Sequence, residues 1–285
     1  MMRDHHEGQR VSRRAIFAGI SSIGLTSLLA ACGDKSPVTT STGETVTPQA
    51  STTADLTDLF AGSNTCTLTP SSTQGPYYFD ADKIRSDIRE DKQGKRLRVA
   101  LKVQDSEKCA PLSNVVVEIW HCDAAGLYSG AESLSTGGGQ PPSGQAPPSG
   151  GQPPSAGENA GQEPGASDLT PTDDKRYLRG AQVTNADGIV EFTTIWPGWY
   201  RGRTVHIHAM VHVGSDRVLT TQLMFDEALN TTVFAAEPYV SHTGRDTFNN
   251  NDNIFKDAML MKTTAEDDGY LGVMVFSADS DKNGK

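Results

Sequence analysis

Residues 193–213 read TTIWPGWYRGRTVHIHAMVHV, and this stretch decides both the fold class and the chemistry. From Thr204 onward apolar residues fall on every second position. Val205, Ile207, Ala209, Val211 and Val213 share one face, while His206, His208, Met210 and His212 share the other. Period two means a strand with one face on a core. Imidazoles at i and i+2 project the same way, roughly 7 Å apart, a spacing that suits a metal pair. Taken alone, the same dipeptide fits a solvated face carrying incidental histidines. Immediately upstream, Pro197-Gly198-Trp199-Tyr200 forms a tight turn that can hold a phenol rigidly, with Arg201 and Arg203 beside it.

Alternation of the same kind recurs along the chain. It predicts strands at 96–104, 115–120, 181–184, 189–195, 217–225 and 270–277. Asn185-Ala186-Asp187-Gly188 reads as a hairpin turn. One helix is expected over 226–236, with Asp226 as its N-cap. Short strands joined by turns predict a mainly β chain, a β-sandwich of mostly antiparallel strands with few short helices. Residues 64–278 are expected to form this unit, and 279–285 a polar tail. The segment 135–167 repeats QPPSG-like units, so poor in large apolar residues that it reads as a disordered Pro/Gly/Ser insertion.

The N-terminus reads as a processing segment. Arg13-Arg14 precedes an apolar run, Ala18 to Ala31, that closes on Leu29-Ala30-Ala31-Cys32. Fourteen helical residues cover about 21 Å, short of a hydrocarbon core of about 30 Å, so a spanning helix is the weaker reading. The pattern resembles a twin-arginine export signal with a lipobox over 1–31. It predicts lipidation of Cys32 and a periplasmic or cell-surface location, followed by a flexible Ser/Thr-rich tether over 32–63. The chain has 285 residues and a net charge of −10, which excludes nucleic acid as a partner. Four cysteines, without CxxC spacing, supply neither a disulfide scaffold nor a structural zinc site. Once Cys32 is lipidated, two of Cys66, Cys109 and Cys122 can pair, and the spacing does not say which.

A tyrosine joins a metal site only where a hard, highly charged cation stabilises the phenolate, and Fe(III) fits that requirement better than zinc or copper. Gly75-Pro-Tyr77-Tyr78, VEIWHCDAAGLYSG at 117–130, LRGAQVTNADG at 178–188, PGWYRGRTVHIH at 197–208 and TTQLMFD at 220–226 occur in one order. Together they resemble the intradiol ring-cleavage dioxygenases, the catechol, hydroxyquinol and protocatechuate type, in their exported bacterial form. The resemblance covers roughly Cys66 to Ser277. It implies one Fe(III) per chain held by Tyr128, Tyr200, His206 and His208, and O2-dependent cleavage of a catechol-type diol to a cis,cis-muconate-type product. It also implies catalytic roles for Tyr200, Arg203 and Gln222, and substrate contact by Tyr77, Tyr78 and Arg203. Two other readings of the residues remain open at this point. One is a zinc or copper site built from His206, His208, His212 and His121 without tyrosine. The other is a non-catalytic cell-surface binding sandwich.

Overall fold

A computed structural model describes residues 45–46, 58–60, 66–135 and 168–284. The export signal, Cys32, nearly all of the tether and the insertion from 136 onward lie outside the described residues. Among the described residues eight strands form two four-stranded sheets. They are β1 (Arg96–Asp105), β2 (Val116–Trp120), β3 (Arg179–Val183), β4 (Ile189–Ile195), β5 (His206–Val213), β6 (Asp216–Met224), β7 (Lys262–Glu266) and β8 (Gly269–Ala278). The first sheet runs β4-β1-β8-β7 and the second β3-β2-β5-β6. Every pairing is antiparallel except β1 with β8. The helices are short, α1 (Glu132–Ser135) and α2 (Glu227–Phe234). Among the described residues no helix is long and apolar enough to cross a membrane. The expected β-sandwich is the architecture found.

Alternation explains the layering. Leu97, Val99, Leu101 and Val103 of β1 meet Val117 and Ile119 of β2 and Ile207, Ala209 and Val211 of β5 in one core between the sheets. All of these side chains are buried, and each Val, Leu and Ile among them contributes about 1.5–3 kcal/mol relative to an exposed position. The opposite face of β5 is buried too, which excludes the solvated-face reading of the histidines. His206, His208 and Met210 lie beneath a second cluster that includes Tyr78, Trp120, Tyr128 and the half-buried Tyr77, Leu134, Leu169 and Tyr200. On the outer face of the first sheet, Phe60 packs with Ala100, Ile189, Leu271 and Val273.

The structure departs from the sequence reading in three places. Asn185–Gly188 is a turn, with Gly188 at φ +75° and its N–H donating to the Asn185 carbonyl at 3.0 Å, but it is no hairpin. β3 pairs with β2 and β4 with β1, so the turn carries the chain from one sheet to the other. Turn chemistry dictates the reversal, while the strand partners are chosen by which apolar faces meet. Strand β7, KTTAE, escapes the pattern because it is an edge strand with no buried residue to mark an inward face. Helix α2 is shorter than expected but starts on Asp226, whose carboxylate accepts from the N–H groups of Ala228 and Leu229.

Residues 66–75 tie the sandwich together. Thr69 N–H donates to Ser277 of β8 at 2.9 Å, and Ser72 N–H to Thr220 of β6 at 2.8 Å. A Cys66–Cys109 disulfide fastens the start of this segment to the β1–β2 connection and leaves Cys122 free and buried.

Candidate metal centre

Two tight turns set the two tyrosines side by side. The first, 123–128, closes through Asp123 N–H to the Leu127 carbonyl at 2.8 Å and Gly126 N–H to the Asp123 carbonyl at 2.9 Å. The second, Pro197–Tyr200, lies against it, with Gly198 N–H donating to the same Asp123 carbonyl at 3.1 Å. A Cβ on Gly198 would stand 2.3 Å from the Asp123 oxygen, and one on Gly126 would stand 2.4 Å from the Trp199 oxygen. Both glycines are therefore required by backbone-to-backbone contact. The Tyr128 and Tyr200 rings end 5.8 Å apart, edge to face.

Strand β5 brings the histidines to these phenols. His206 Nε2 lies 3.2 Å from Tyr200 Oη, 3.5 Å from Tyr128 Oη and 3.1 Å from His208 Nε2. Separations near 3 Å are edges of a polyhedron around a small cation with bonds of about 2 Å. The tautomer of His206 follows from its neighbour. Its Nδ1 sits 2.6 Å from the Thr204 carbonyl, which only accepts, so Nδ1 carries the proton and Nε2 turns a lone pair to the cluster. His208 stacks parallel to Trp120, with centroids 4.9 Å apart and an angle of 3° between the rings, and Gly75 lies against its Cε1 edge.

Burial governs the charge states. Burial and the nearby Arg203 hold His206 down to about 3, and burial and His206 hold His208 well below the usual imidazole range. Both are neutral donors near pH 7. Burial pushes Tyr200 up to about 12 and Tyr128 well above the ordinary phenol value. Two neutral imidazoles and two phenols that ionise only beside a strong positive charge fit a multivalent cation, and a ferric ion in particular.

The remaining sequence-derived residues fall into place unevenly. Arg203 and Gln222 come together, since Arg203 Nη2 donates to Gln222 Oε1. Gln222 is fully buried opposite His208 in the β5–β6 register, and its Nε2 donates to the Thr73 carbonyl at 3.2 Å. Tyr77 lies over the tyrosine pair, 4.8 Å from the Tyr128 ring and 6.3 Å from that of Tyr200. Tyr78 turns away, buried under Trp120 with its hydroxyl donating to Glu118 Oε2 at 3.0 Å. The all-histidine alternative fails on geometry. His121 is fully buried with Nδ1 at 2.7 Å from the Cys122 carbonyl and Nε2 at 2.7 Å from Thr194 Oγ1. His212 Nε2 lies 3.5 Å from Glu118 Oε1. Among the described residues no three His, Cys, Asp or Glu side chains group as a metal site.

Asp252 is a residue that sequence reasoning missed. Its Oδ2 accepts from Arg203 Nε at 2.9 Å and from Thr204 N–H at 2.7 Å. Burial pushes the carboxyl up, but Arg203 and the N–H groups of Thr204 and Ile254 outweigh it and hold Asp252 below the ordinary range. No motif marks it, because it reaches the site from a loop beyond α2. Arg179, overlooked likewise, is 2% exposed on β3, and burial pushes its guanidinium down to about 9.

No protein-family model matches the chain, and no curated protein matches it. Solved structures do. An intradiol ring-cleavage dioxygenase from Tetranychus urticae is 29% identical with a TM-score of 0.62, the match covering 75% of this chain and 96% of that one. A second solved dioxygenase is 30% identical with a TM-score of 0.61, over the same shares of the two chains. Likeness at that level runs through the whole sandwich and nearly the whole length of the relatives. The chain therefore belongs to the intradiol ring-cleavage dioxygenase family, a family of ring-cleaving oxidoreductases.

Proposed function

We propose that the chain binds one Fe(III) through Tyr128, Tyr200, His206 and His208 and cleaves a catechol-type diol with O2 to a cis,cis-muconate-type product. The observation that carries this reading is the meeting of two imidazole nitrogens and two phenol oxygens around one point, within 3.1–3.5 Å of His206 Nε2. When bound, the ferric ion lowers the pKa of the diol and draws electron density from its ring, which opens the ring to O2.

The chain's own groups then divide the work. Tyr128 is fully buried and Tyr200 half-buried, so the diol approaches from the Tyr200 side and Tyr200 Oη receives a diol proton. Arg203 spends Nε on Asp252 and Nη2 on Gln222, which leaves Nη1 to stabilise negative charge developing on the ring. Gln222 orients Arg203. Tyr77, with Leu134 and Leu169 packed beside it, supplies an apolar wall that excludes water from the ring. The exposed Arg201 pairs with Asp246 at 3.5 Å and takes no part.

Export by the twin-arginine route and anchoring at Cys32 belong to the same proposal, on the strength of Arg13-Arg14 and the Leu-Ala-Ala-Cys sequence ending at Cys32. Metal analysis, visible absorbance and oxygen uptake over a panel of substituted catechols test the enzyme reading together. Iron-loaded protein should be red-brown from tyrosinate-to-iron charge transfer, and Tyr200→Phe should shift or bleach the band. A colourless, zinc-loaded protein active on these diols would overturn the proposal.

A further inference from the structure

Arg203 and Thr204 hang on a single oxygen. Asp252 Oδ2 accepts from Arg203 Nε at 2.9 Å and from the Thr204 N–H at 2.7 Å, while Oδ1 accepts from the Ile254 N–H at 2.8 Å. The Asp252 side chain is 1% exposed. One buried carboxylate therefore fixes both the backbone and the guanidinium of the segment that leads into β5. The loop carrying Asp252 is in turn fastened to α2. Arg245 grips Glu227, the first residue of α2, through two hydrogen bonds of 2.8 Å, and its Nε donates to the Thr247 carbonyl at 3.0 Å. Glu227 Oε1 also accepts from the Asn249 N–H at 2.9 Å, and Thr204 Oγ1 donates to Asn249 Oδ1 at 2.7 Å. Bidentate, charge-assisted bonds of this kind fix direction as well as distance. They join α2, the loop from Arg245 to Asp252 and Thr204 in one network whose members include none of the four proposed metal ligands.

We propose that Asp252 is a positioning residue for ring cleavage, holding the Arg203 guanidinium in the plane that presents Nη1 to the diol, and that the Glu227–Arg245 pair sets Asp252 in its place. The inference rests on the ring-cleavage reading and on Arg203 as the group that meets charge developing on the ring. A long, flexible arginine helps a transition state only if its orientation is fixed before the charge appears. Gln222 holds Nη2, but one bond leaves the guanidinium free to swing, and the Asp252 bond to Nε removes that freedom.

Oxygen uptake by iron-loaded wild type, Asp252→Asn and Glu227→Gln is compared over a range of catechol concentrations, each variant being made also in an Arg203→Gln background. Asp252→Asn keeps the size of the side chain but removes its charge and turns one acceptor into a donor. Its kcat should fall about tenfold or more with KM changed less than about threefold, because an orientation used in the transition state is lost. Glu227→Gln, which no bond joins to Arg203, should lower kcat in the same sense by about threefold or more. In the Arg203→Gln background each change should cost less than about twofold, since the group they place is gone. A second readout needs no turnover. In urea unfolding of the metal-free protein, the effects of Asp252→Asn and Arg203→Gln on the unfolding constant should depart from multiplicativity by about fivefold or more. An unchanged kcat in Asp252→Asn, equal losses in both backgrounds, or multiplicative unfolding constants would reduce the network to a brace for the loop. If Asp252→Asn does not fold, Glu227→Gln decides alone by the same two backgrounds. Wild type that takes up no oxygen with any catechol overturns the ring-cleavage reading and this inference with it, whereas the other adverse results strike the inference alone.

Discussion

Gly198 shows how much of the site hangs on one missing methylene carbon. Its Cβ would meet three backbone atoms of Asp123 and Ala124 within 2.8 Å, and backbone cannot step aside. Gly198→Ala should therefore part the two tyrosine turns. A loss on the order of 1–3 kcal/mol in urea unfolding, with loss of the visible band, is the expected outcome. Arg203 tests a different link. Its side chain is 15% exposed and pinned on two sides, and it is a cation that favours the ionised form of both Tyr128 and Tyr200, so Arg203→Gln should shift the visible band without abolishing it while lowering kcat on the order of a hundredfold. An equal rise in KM with kcat unchanged would mean that Arg203 serves binding alone.

Among the elements, the extended segment 66–75 does work that no strand does. It crosses from β8 to β6 and delivers Gly75 to His208, where a Cβ would come within 3.0 Å of the imidazole Cε1. The Cys66–Cys109 bridge fixes its start across a sequence separation of 43. A Cys66→Ala/Cys109→Ala protein should lose about 2–4 kcal/mol of stability by the loop-closure argument. Because the remaining hydrogen bonds to Ser277 and Thr220 still hold the segment, Fe(III) affinity should change far less than stability. Thermal unfolding with and without reductant, read beside a chelator titration, separates the two effects. Elements were legible in proportion to their alternation. β4 matches its predicted bounds, whereas β7 carries no apolar face and left no trace in the pattern.

At the scale of the molecule, the buried histidines make the metal-free protein acid-sensitive. His121 is neutral in the fold, where burial first and Arg179 among the lesser causes pull it down to about 4 against an ordinary 6.5. Above pH 6.5 neither folded nor unfolded chain carries this proton, and the contribution is fully present. As pH falls below 6.5 the unfolded chain takes up the proton first, so stability is lost at up to about 1.4 kcal/mol per pH unit until about pH 4. His121→Gln should flatten the dependence of unfolding free energy on pH in that window. An unchanged slope from denaturant titrations at pH 6.5, 5.5 and 4.5 would show that His121 is solvated.

Much of this protein was determined by its sequence alone. Period-two patterning required a sandwich, because a strand with one apolar face has to bury it on another sheet. The pairing of a turn-held tyrosine with His206 and His208 marked the candidate metal centre, because those donor types share one cation chemistry. What only the tertiary structure decided is which residues from distant segments complete that centre. Asp252 reaches Arg203 from a loop beyond α2, and the approach of Tyr128 to His206, implied beforehand only by the family resemblance, is a contact that no local rule supplies. The choice of Cys66 over Cys122 as the partner of Cys109, the routing of Asn185–Gly188 between sheets, and the turning of Tyr78 away from Tyr77 belong with them. Local sequence sets backbone conformation and the face a side chain takes, but non-local contacts are chosen by the packing of whole sheets, where no single residue carries the signal.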